Sequence, residues 1–361
     1  MFGHFRPAPT QAAAIALTLL ACGGGKRSAP VTVLGTPTDS VVTSFGEVSR
    51  AVWLGGKRWA VLAPGDDAVA IADFGTHQVH RLQGRGAEEI RNPATLFRGG
   101  DTLFVGDWAL RRTTLWSLGG KSAGVIPASN AVRGVLPVAR DTLGRFYYEM
   151  APRPGPDGTG NRDSSAVVRA SLDNPKPDTA ARLAPADLAE VTSDAGRRFE
   201  RRVFSGSDLW GALPDGSIWV ARVYENRVAW RDRDGTWHKG EALPDRVLEV
   251  TRYDRELFLR KFPPELRSTA EQLPFAAIKP PFEAGLNGAA GEVWLEKSRA
   301  PADSTRRYHV VDRGGKLLRE IQVHGRGRIV AVGNSDVLVA SPSRNGVHLF
   351  TLAIPPEVAT P

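Results

Sequence analysis

The chain has 361 residues, of which 42% are hydrophobic and 24% are charged, and this balance favours a folded globular protein over a disordered one. A single cysteine excludes an internal disulfide and any metal site built from several thiolates. The formal charge of +8 comes from basic residues that are interleaved with acidic ones, without a nucleic-acid-binding motif, so we expect no nucleic-acid partner.

Residues 1–21 are predicted to be an export signal that is removed from the mature protein. They contain one basic side chain, Arg6, no acid, and an apolar stretch of ten residues that is too short to span a bilayer. The stretch ends in Leu19-Leu20-Ala21-Cys22 and resembles the bacterial lipobox. That resemblance implies cleavage before Cys22, a diacylglyceryl group on its thiol, and membrane anchoring through acyl chains alone.

The residues after the lipobox suggest a destination and a spacer. Gly23 follows the cysteine where aspartate would be a retention signal, so the resemblance implies the outer membrane, facing the periplasm. Residues 22–40 begin with a run of glycine, serine and proline and are interpreted as a flexible tether. Residues 41–354 are expected to form the folded part, and residues 355–361 a C-terminal tail.

From residue 41 onward, one pattern recurs six times: a turn rich in aspartate and glycine, then a strand of aromatic or β-branched residues. The six instances are Ala68–Asp73, Asp101–Asp107, Gly144–Glu149, Asp215–Ala221, Gly291–Glu296 and Ser335–Ala340. A leading strand precedes most instances and further strands follow them. Four antiparallel strands in each of six units predict an all-β fold, a six-bladed β-propeller. Four tryptophans are expected to pack between its blades: Trp116, Trp219, Trp230 and Trp294.

The first unit resembles an NHL-type blade, in which a strand ends in Ala-Asp before a turn and a short strand. The pattern is present at Ala72–Val79 and in part at Gly106–Trp108, and the later units depart from it. The chain as a whole looks like bacterial lipoproteins with six-bladed NHL-like or TolB-like propellers, a resemblance that implies a fold and not an activity. We expect a strand near Val41–Leu54 to close the ring beside Val347–Leu352.

Four stretches are longer than the turns of a compact blade: Ala151–Ser165, Pro185–Ser207, Glu241–Pro281 and Ser298–Thr305. Two of them join second to third strands and two join successive units, and in an up-and-down meander these connections lie on one face. We therefore expect the four insertions to decorate one face of the propeller. That face would hold the binding site, unless the insertions are surface loops without a role.

The longest insertion is predicted to contain helices. Tyr253, Leu257, Phe258 and Phe262 recur at helical spacing, and Pro263-Pro264 would stop that helix. A second short helix would run from Pro264 through Glu271. The apolar stripe is interpreted as packing the first helix onto the propeller, with a lid or a partner-docking helix as the alternative.

The candidates for ligand binding are Asp73, Asp107, Trp108, Glu149, Tyr253 and Phe258. Asp73 and Asp107 are interpreted as the ends of equivalent strands. There a carboxylate would bond the N–H groups of a turn or, alternatively, bind calcium or a substrate near the channel. His77 and His80 would point to opposite faces of a strand, which argues against a shared metal. No serine-hydrolase elbow, Walker loop or zincin motif occurs.

These observations lead to an expected function and an alternative. We expect a monomeric, non-enzymatic scaffold that binds a cell-envelope protein, peptide or glycan on the insertion-bearing face, with no metal or cofactor. The alternative is a metal-dependent hydrolase, similar to lactonase-type propellers, with a divalent ion such as calcium in the central channel. Asp73, Asp107 and Glu149 would then be the acids to test first.

Overall fold

The strands expected from the repeat are present in a computed structural model of the protein, which describes residues 29–84, 86–151, 165–193, 196–244 and 246–356. The expected signal sequence, Cys22 and the end of the expected tail lie outside these residues, as does most of the insertion Ala151–Ser165. Within the described ranges, no helix is both long enough and apolar enough to cross a membrane.

The first half of the described chain contains two N-terminal strands and three blades. The N-terminal strands are β1 (Val31–Val33) and β2 (Asp39–Thr43). Blade 1 consists of β3 (Arg50–Gly55), β4 (Arg58–Ala63), β5 (Ala68–Asp73) and β6 (Gln78–Arg81). Blade 2 consists of β7 (Pro93–Gly99), β8 (Thr102–Asp107), β9 (Arg112–Ser117) and β10 (Ser122–Pro127). Blade 3 consists of β11 (Ala139–Arg140), β12 (Phe146–Met150), β13 (Ala166–Ala170) and β14 (Asp178–Arg182).

The second half contains a hairpin, two helices and three more blades. The hairpin is formed by β15 (Leu188–Ser193) and β16 (Gly196–Arg201). Blade 4 consists of β17 (Leu209–Ala212), β18 (Ile218–Arg222), β19 (Arg227–Arg231) and β20 (Trp237–Ala242), and is followed by helices α1 (Arg252–Leu259) and α2 (Pro264–Glu271). Blade 5 consists of β21 (Phe282–Asn287), β22 (Val293–Lys297), β23 (Thr305–Val311) and β24 (Leu317–His324). Blade 6 contains β25 (Arg328–Val332), β26 (Asp336–Ser343) and β27 (Gly346–Ala353).

The blades form a closed ring around a central channel. Strands that follow one another in a blade pair antiparallel, and the first strands of neighbouring blades contact each other around the whole ring. The six first strands, β3, β7, β11, β17, β21 and β25, therefore lie innermost. The predicted all-β fold, a six-bladed β-propeller, is confirmed.

Six hydrophobic clusters hold the ring together, one between each pair of neighbouring blades. Trp116 belongs to the cluster between blades 1 and 2, Trp294 to the cluster between blades 5 and 6, and Trp219 and Trp230 to the cluster between blades 4 and 5. All four are fully buried, as predicted. Full burial of a large apolar side chain contributes about 1.5–3 kcal/mol, so these clusters are the main source of the stability of the ring.

The N-terminal strands close the ring. β2 pairs antiparallel with β27, from Asp39 opposite Thr351 to Thr43 opposite Val347, and completes blade 6 as its outermost strand. The expected closing segment Val41–Leu54 therefore divides: its beginning belongs to β2, and its end is β3, the innermost strand of blade 1. One strand cannot belong to both blades, because the closing strand of blade 6 is outermost, whereas the first strand of blade 1 lines the channel.

The tether predicted for residues 22–40 is wrong from Pro30 onward. β1 pairs parallel with β24 as a fifth strand of blade 5, with Val31 opposite Glu320 and Val33 opposite Gln322. Leu34 is buried in the cluster between blades 5 and 6. The N-terminal segment thus joins two blades before the propeller sequence begins.

One repeat was placed on the wrong strand of its unit. Five of the six predicted instances are second strands, but Ala68–Asp73 is β5, the third strand of blade 1. Antiparallel strands two and three end on opposite sides of the disc. Asp73 and Asp107 are therefore not at equivalent positions, and they lie on opposite faces.

The three insertions that lie largely within the described residues, Pro185–Ser207, Glu241–Pro281 and Ser298–Thr305, share one face, as the meander topology requires. We call this side, formed by the second-to-third-strand loops and the blade-to-blade connections, the insertion face; the remaining turns form the opposite face. Contacts between insertions support the assignment, since Val203 pairs with Phe275 and Lys279 Nζ donates to the carbonyl oxygen of Arg299 at 3.0 Å. α1 ends at Leu259, before Phe262, and α2 has the predicted bounds.

Candidate functional site

The central channel contains a cavity of about 830 Å³, lined by the first strands of all six blades. This volume lies within the range of roughly 300–1,000 Å³ that is typical of small-molecule sites. Much of the wall is apolar, including Ala51, Leu209, Ala284 and Ala331. Six charged residues also line it: Arg50, Arg98, Arg140, Glu149, Asp208 and Glu283.

Four of the six charged residues have partners within the protein. Near the opposite face, Arg98 Nε donates to the carbonyl oxygen of Gly100 at 2.7 Å, and the guanidinium of Arg140 lies 5.6 Å from the ring centre of Phe146. Near the insertion face, Glu149 Oε2 accepts from Trp210 Nε1 at 2.7 Å. Asp208 accepts from the backbone N–H of Ala184 and Val223 and from Arg222.

The side chains of Arg50 and Glu283 have no hydrogen bond or ion pair among the described residues. Arg50 is the first residue of β3 and Glu283 is the second residue of β21, so both stand at the insertion-face mouth of the channel. Both residues are exposed to solvent within the channel mouth, where the surrounding wall partly desolvates their charges. Desolvation lowers the pKa of Arg50, and the positive charge of Arg328 lowers it further. Desolvation raises the pKa of Glu283, and the negative charge of Glu296 raises it further.

Blade 6 lies between these two side chains and contributes a third charged side chain, Arg328, which has an ion-pair partner. Arg328, the first residue of β25, donates through Nε to Glu296 Oε2 at 2.7 Å, and Arg306 donates to the other oxygen of the same carboxylate. Glu296 is fully buried. Burial opposes the charge on Arg328, but the ionised Glu296 outweighs it and raises the pKa of Arg328.

The long insertion is fixed beside this mouth by a buried ion pair. Lys279 Nζ lies 2.6 Å from Asp254 Oδ1, and the two side chains are only 8% and 3% exposed. Asp254 also accepts from Thr251, in a capping box that begins α1. Burial alone would raise the pKa of Asp254, but the hydrogen bonds from Lys279 and Thr251 hold it below its usual value.

An aromatic cluster joins the long insertion to the hairpin insertion. The ring of Phe258 lies 5.9 Å from that of Phe204 and 5.6 Å from that of Phe275. Phe204 adopts φ +63°, a left-handed conformation that is unfavourable for an aromatic residue and is held here by these contacts. The predicted candidate Phe258 therefore packs α1 onto its neighbours.

The predicted acids Asp73 and Asp107 both bond turns. Asp73 Oδ1 accepts from the N–H groups of Gly75 and Thr76 at 2.8 and 3.2 Å, on the opposite face. Asp107 is fully buried and accepts from Arg91, Asn92 and Leu110 N–H groups, on the insertion face. These contacts support the turn interpretation at both positions.

The remaining candidates lie on the insertion face but do not converge. Glu149 lines the channel, whereas Trp108 is in the turn after β8 and is 59% exposed. Tyr253 is 51% exposed on α1. Of the six predicted residues, the structure places only Glu149 in the cavity.

The three acidic side chains that the alternative hydrolase would need as metal ligands do not lie together. Asp73 lies on the opposite face, Asp107 is saturated by backbone donors, and Glu149 accepts from Trp210. In the ranges that the structure describes, no group of three or more histidine, cysteine, aspartate or glutamate side chains could hold a metal ion. Among the described residues, the three predicted acids therefore do not come together as a calcium centre of the lactonase kind.

Arg50 and Glu283 were missed as candidates, although a signal for them exists. Each is a charged residue at the start of a leading strand, where an apolar strand otherwise begins. Glu283 lies in one of the leading strands that the repeat predicts, but it was not singled out. Arg50 was not recognised, because its strand was expected to close the ring. A closing strand would lie at the outer rim, away from the channel.

Comparisons with known proteins show the fold and nothing finer. No protein-family model and no curated protein matches the chain. A proposed exported protein of Bacteroides fragilis matches with a TM-score of 0.51 at 6% identity, over 90% of this chain and 99% of that chain. A DUF4221-family protein of Bacteroides vulgatus matches with a TM-score of 0.48 at 9% identity, over 89% and 94% of the two chains. A proposed gluconolactonase matches with a TM-score of 0.46 at 12% identity, over 88% and 93%.

Proposed function

We propose that the protein is an exported, lipid-anchored propeller that binds a cell-envelope ligand in the insertion-face mouth of its channel and performs no chemistry on it. The observation that carries this proposal is the pair Arg50 and Glu283, two charged side chains without a protein partner in a cavity of ligand size. Partial desolvation by the channel wall disfavours the charged form of both side chains. A ligand with complementary groups would supply the missing partners.

The path of the N-terminal segment supports an orientation for this binding site. β1 runs parallel to β24, which ends on the insertion face, so the chain enters the fold from the opposite side. A lipid on Cys22 would be separated from Pro30 by at most about 30 Å of extended chain. The anchor would hold the opposite face toward the membrane and present the insertion face to the periplasm.

The test is to identify what the protein carries when it is purified from its own cells. Full-length protein and the variant Arg50→Gln/Glu283→Gln are isolated in an uncharged detergent, denatured, and their released small molecules compared by mass spectrometry. The proposal predicts a compound that is present in the wild type and depleted in the variant. Asp101→Asn/Lys316→Gln, which removes one exposed charge of each sign on the opposite face, is the matched control.

Two results would contradict the proposal. One is the same set of released compounds from the wild type and from the Arg50→Gln/Glu283→Gln variant. The other is a stoichiometric divalent ion that survives dialysis, which would favour the hydrolase alternative. Elemental mass spectrometry on the same preparations measures the second.

A further inference from the structure

Arg50 and Glu283 carry opposite charges and stand on blades that are not neighbours. Blade 6 separates them, and its arginine, Arg328, is bound to Glu296. No ion pair joins Arg50 to Glu283. Among the described residues, the mouth therefore offers one cation and one anion without an ion-pair partner, separated by a cluster in which Arg328 and Arg306 share the carboxylate of Glu296.

The nearby charges explain why the carboxylate of Glu283 stays available. The charged groups close enough to influence it are Glu296, Arg328, Lys279 and Arg299. Lys279 is paired with Asp254, and Arg299 donates to the carbonyl oxygen of Asp303. Each of these cations thus has another partner: Lys279 and Arg299 within the insertions, and Arg328 at Glu296 of blade 5.

From this arrangement we propose that the channel mouth binds a zwitterionic ligand, with Arg50 holding its carboxylate and Glu283 holding its ammonium group, as at the two ends of a short peptide. This inference rests on the proposed binding function and adds the class of ligand. The planar guanidinium of arginine matches the two oxygens of a carboxylate. Ala51, Leu209, Ala284 and Ala331 provide a small apolar wall for the uncharged part of the ligand.

A ligand with one charge fits the mouth less well. A simple anion at Arg50 would leave Glu283 without a partner and would be repelled by it. A simple cation at Glu283 would meet the same difficulty with Arg50. Only a molecule that carries both charges neutralises both side chains at once. A peptide and a phosphoethanolamine headgroup share this chemistry.

Matched probes test the proposal on purified full-length protein in dodecyl maltoside, an uncharged detergent. The probes are alanine peptides of two, three and four residues, each in a free form, an N-acetylated form and a C-amidated form. Glycerophosphoethanolamine is a further probe. Titration calorimetry measures the affinity of each probe for the wild type, Arg50→Gln, Glu283→Gln and the control Asp101→Asn/Lys316→Gln.

The effect of blocking one end of a peptide is expected to depend on which of the two side chains has been replaced. Blocking either end of the best free peptide should weaken binding to the wild type by about 10-fold to 100-fold, as expected for charged hydrogen bonds. In Glu283→Gln, N-acetylation should have no further effect while amidation still weakens binding. In Arg50→Gln, amidation should have no further effect while N-acetylation still weakens binding. The control variant should behave as the wild type.

The outcomes distinguish this inference from the proposed function. If Arg50→Gln and Glu283→Gln each weaken the binding of glycerophosphoethanolamine but not that of the peptides, a zwitterionic ligand is supported. Its source is then a phospholipid headgroup. If blocked peptides bind as tightly as free ones, or if no zwitterionic probe binds, the zwitterion proposal is wrong. The binding function itself would then still stand if native protein carries a compound that depends on Arg50 and Glu283.

Discussion

At the opposite face of the propeller, acidic side chains lock the turns between strands. Asp141 is fully buried and accepts from the N–H groups of Leu143 and Arg145, from Arg145 Nε at 2.6 Å and from the Tyr147 hydroxyl at 2.8 Å. At the insertion face, by contrast, two charges that line the channel have no protein partner among the described residues. The comparison shows that the number of charged residues does not locate a binding site, whereas charged side chains without a protein partner indicate one.

The two faces also differ in how their contacts relate to the propeller. The turn at Asp141 belongs to blade 3 and reaches blade 4, since the Thr142 N–H donates to the carbonyl oxygen of Pro214 at 2.8 Å. The ion pair of Lys279 and Asp254 joins insertions to one another and lies outside the inter-blade clusters. We therefore expect damage at the opposite face to weaken the whole ring, and damage at the insertion face to stay local.

The largest expected effect is that of Asp141→Ala. It removes a buried acceptor of four hydrogen bonds and leaves the Arg145 charge and the Tyr147 hydroxyl without their main partner. Breaking a buried charge pair from one side costs about 3–5 kcal/mol. The single unfolding transition should shift down by roughly 5–8 °C, using an unfolding entropy of about 2.1 cal/mol/K per residue, which gives about 1.5 °C per kcal/mol for a domain of this length. Calorimetry checks it, and a Tm unchanged from the wild type would refute the role of this turn.

Lys279→Met should have an effect of similar size that stays within the insertions. It leaves the carboxylate of Asp254 buried without its cation, at a cost of about 3–5 kcal/mol. Residues 252–271 should become sensitive to protease and exchange their amide hydrogens faster, while the main Tm stays close to that of the wild type. Adding Asp254→Asn, which keeps an acceptor for Thr251, should restore protection. A global loss of stability would show that the insertions are part of the ring.

Much of the fold was predictable because its signals are local. Alternating strand residues and turns of aspartate and glycine are short-range features, and they predicted the blades, the shared face of the insertions and the bounds of α2. β1 has no such signal, since it is three residues long and pairs in parallel with residues almost 300 positions away. Unit one was misplaced because an aspartate that bonds turn N–H groups serves equally well on either face, as Asp73 and Asp107 show.

The site was less predictable than the fold. Asp73, Asp107 and Glu149 were chosen as acids at strand ends, and a strand end shows neither whether the carboxylate is satisfied nor by which donors. Whether Arg50 and Glu283 are free depends on contacts between segments far apart in the chain, such as Lys279 with Asp254 and Arg328 with Glu296. Only the assembled ring reveals which charges remain unpaired.

The orientation of the two faces can be measured in cells. Leu143→Cys places a thiol on an exposed turn of the opposite face, and Tyr253→Cys places one on the insertion face. If Cys22 is acylated it does not react, so each variant has one free thiol. A bulky maleimide should label Tyr253→Cys several times faster in membranes and both variants at similar rates in detergent. Equal rates in membranes would contradict an anchor on the opposite side.

The smallest expected effect concerns Glu283 itself and has a definite sign with pH. Because its folded pKa is raised above the ordinary value of 4.5, ionised Glu283 destabilises the native state at neutral pH. Glu283→Gln should therefore raise the Tm at pH 7 slightly, by about 1 °C or less, as expected for an exposed position. The gain should shrink as the pH falls through the folded pKa and disappear below 4.5, where the carboxyl is protonated in both states. A stabilising substitution that also weakens ligand binding is typical of a functional residue, whereas neutralising a turn acid such as Asp141 is expected to lower the stability of the protein. Melting curves of both variants from pH 4 to pH 8 make this comparison, and a loss of stability in Glu283→Gln would mean that its carboxylate has a structural partner.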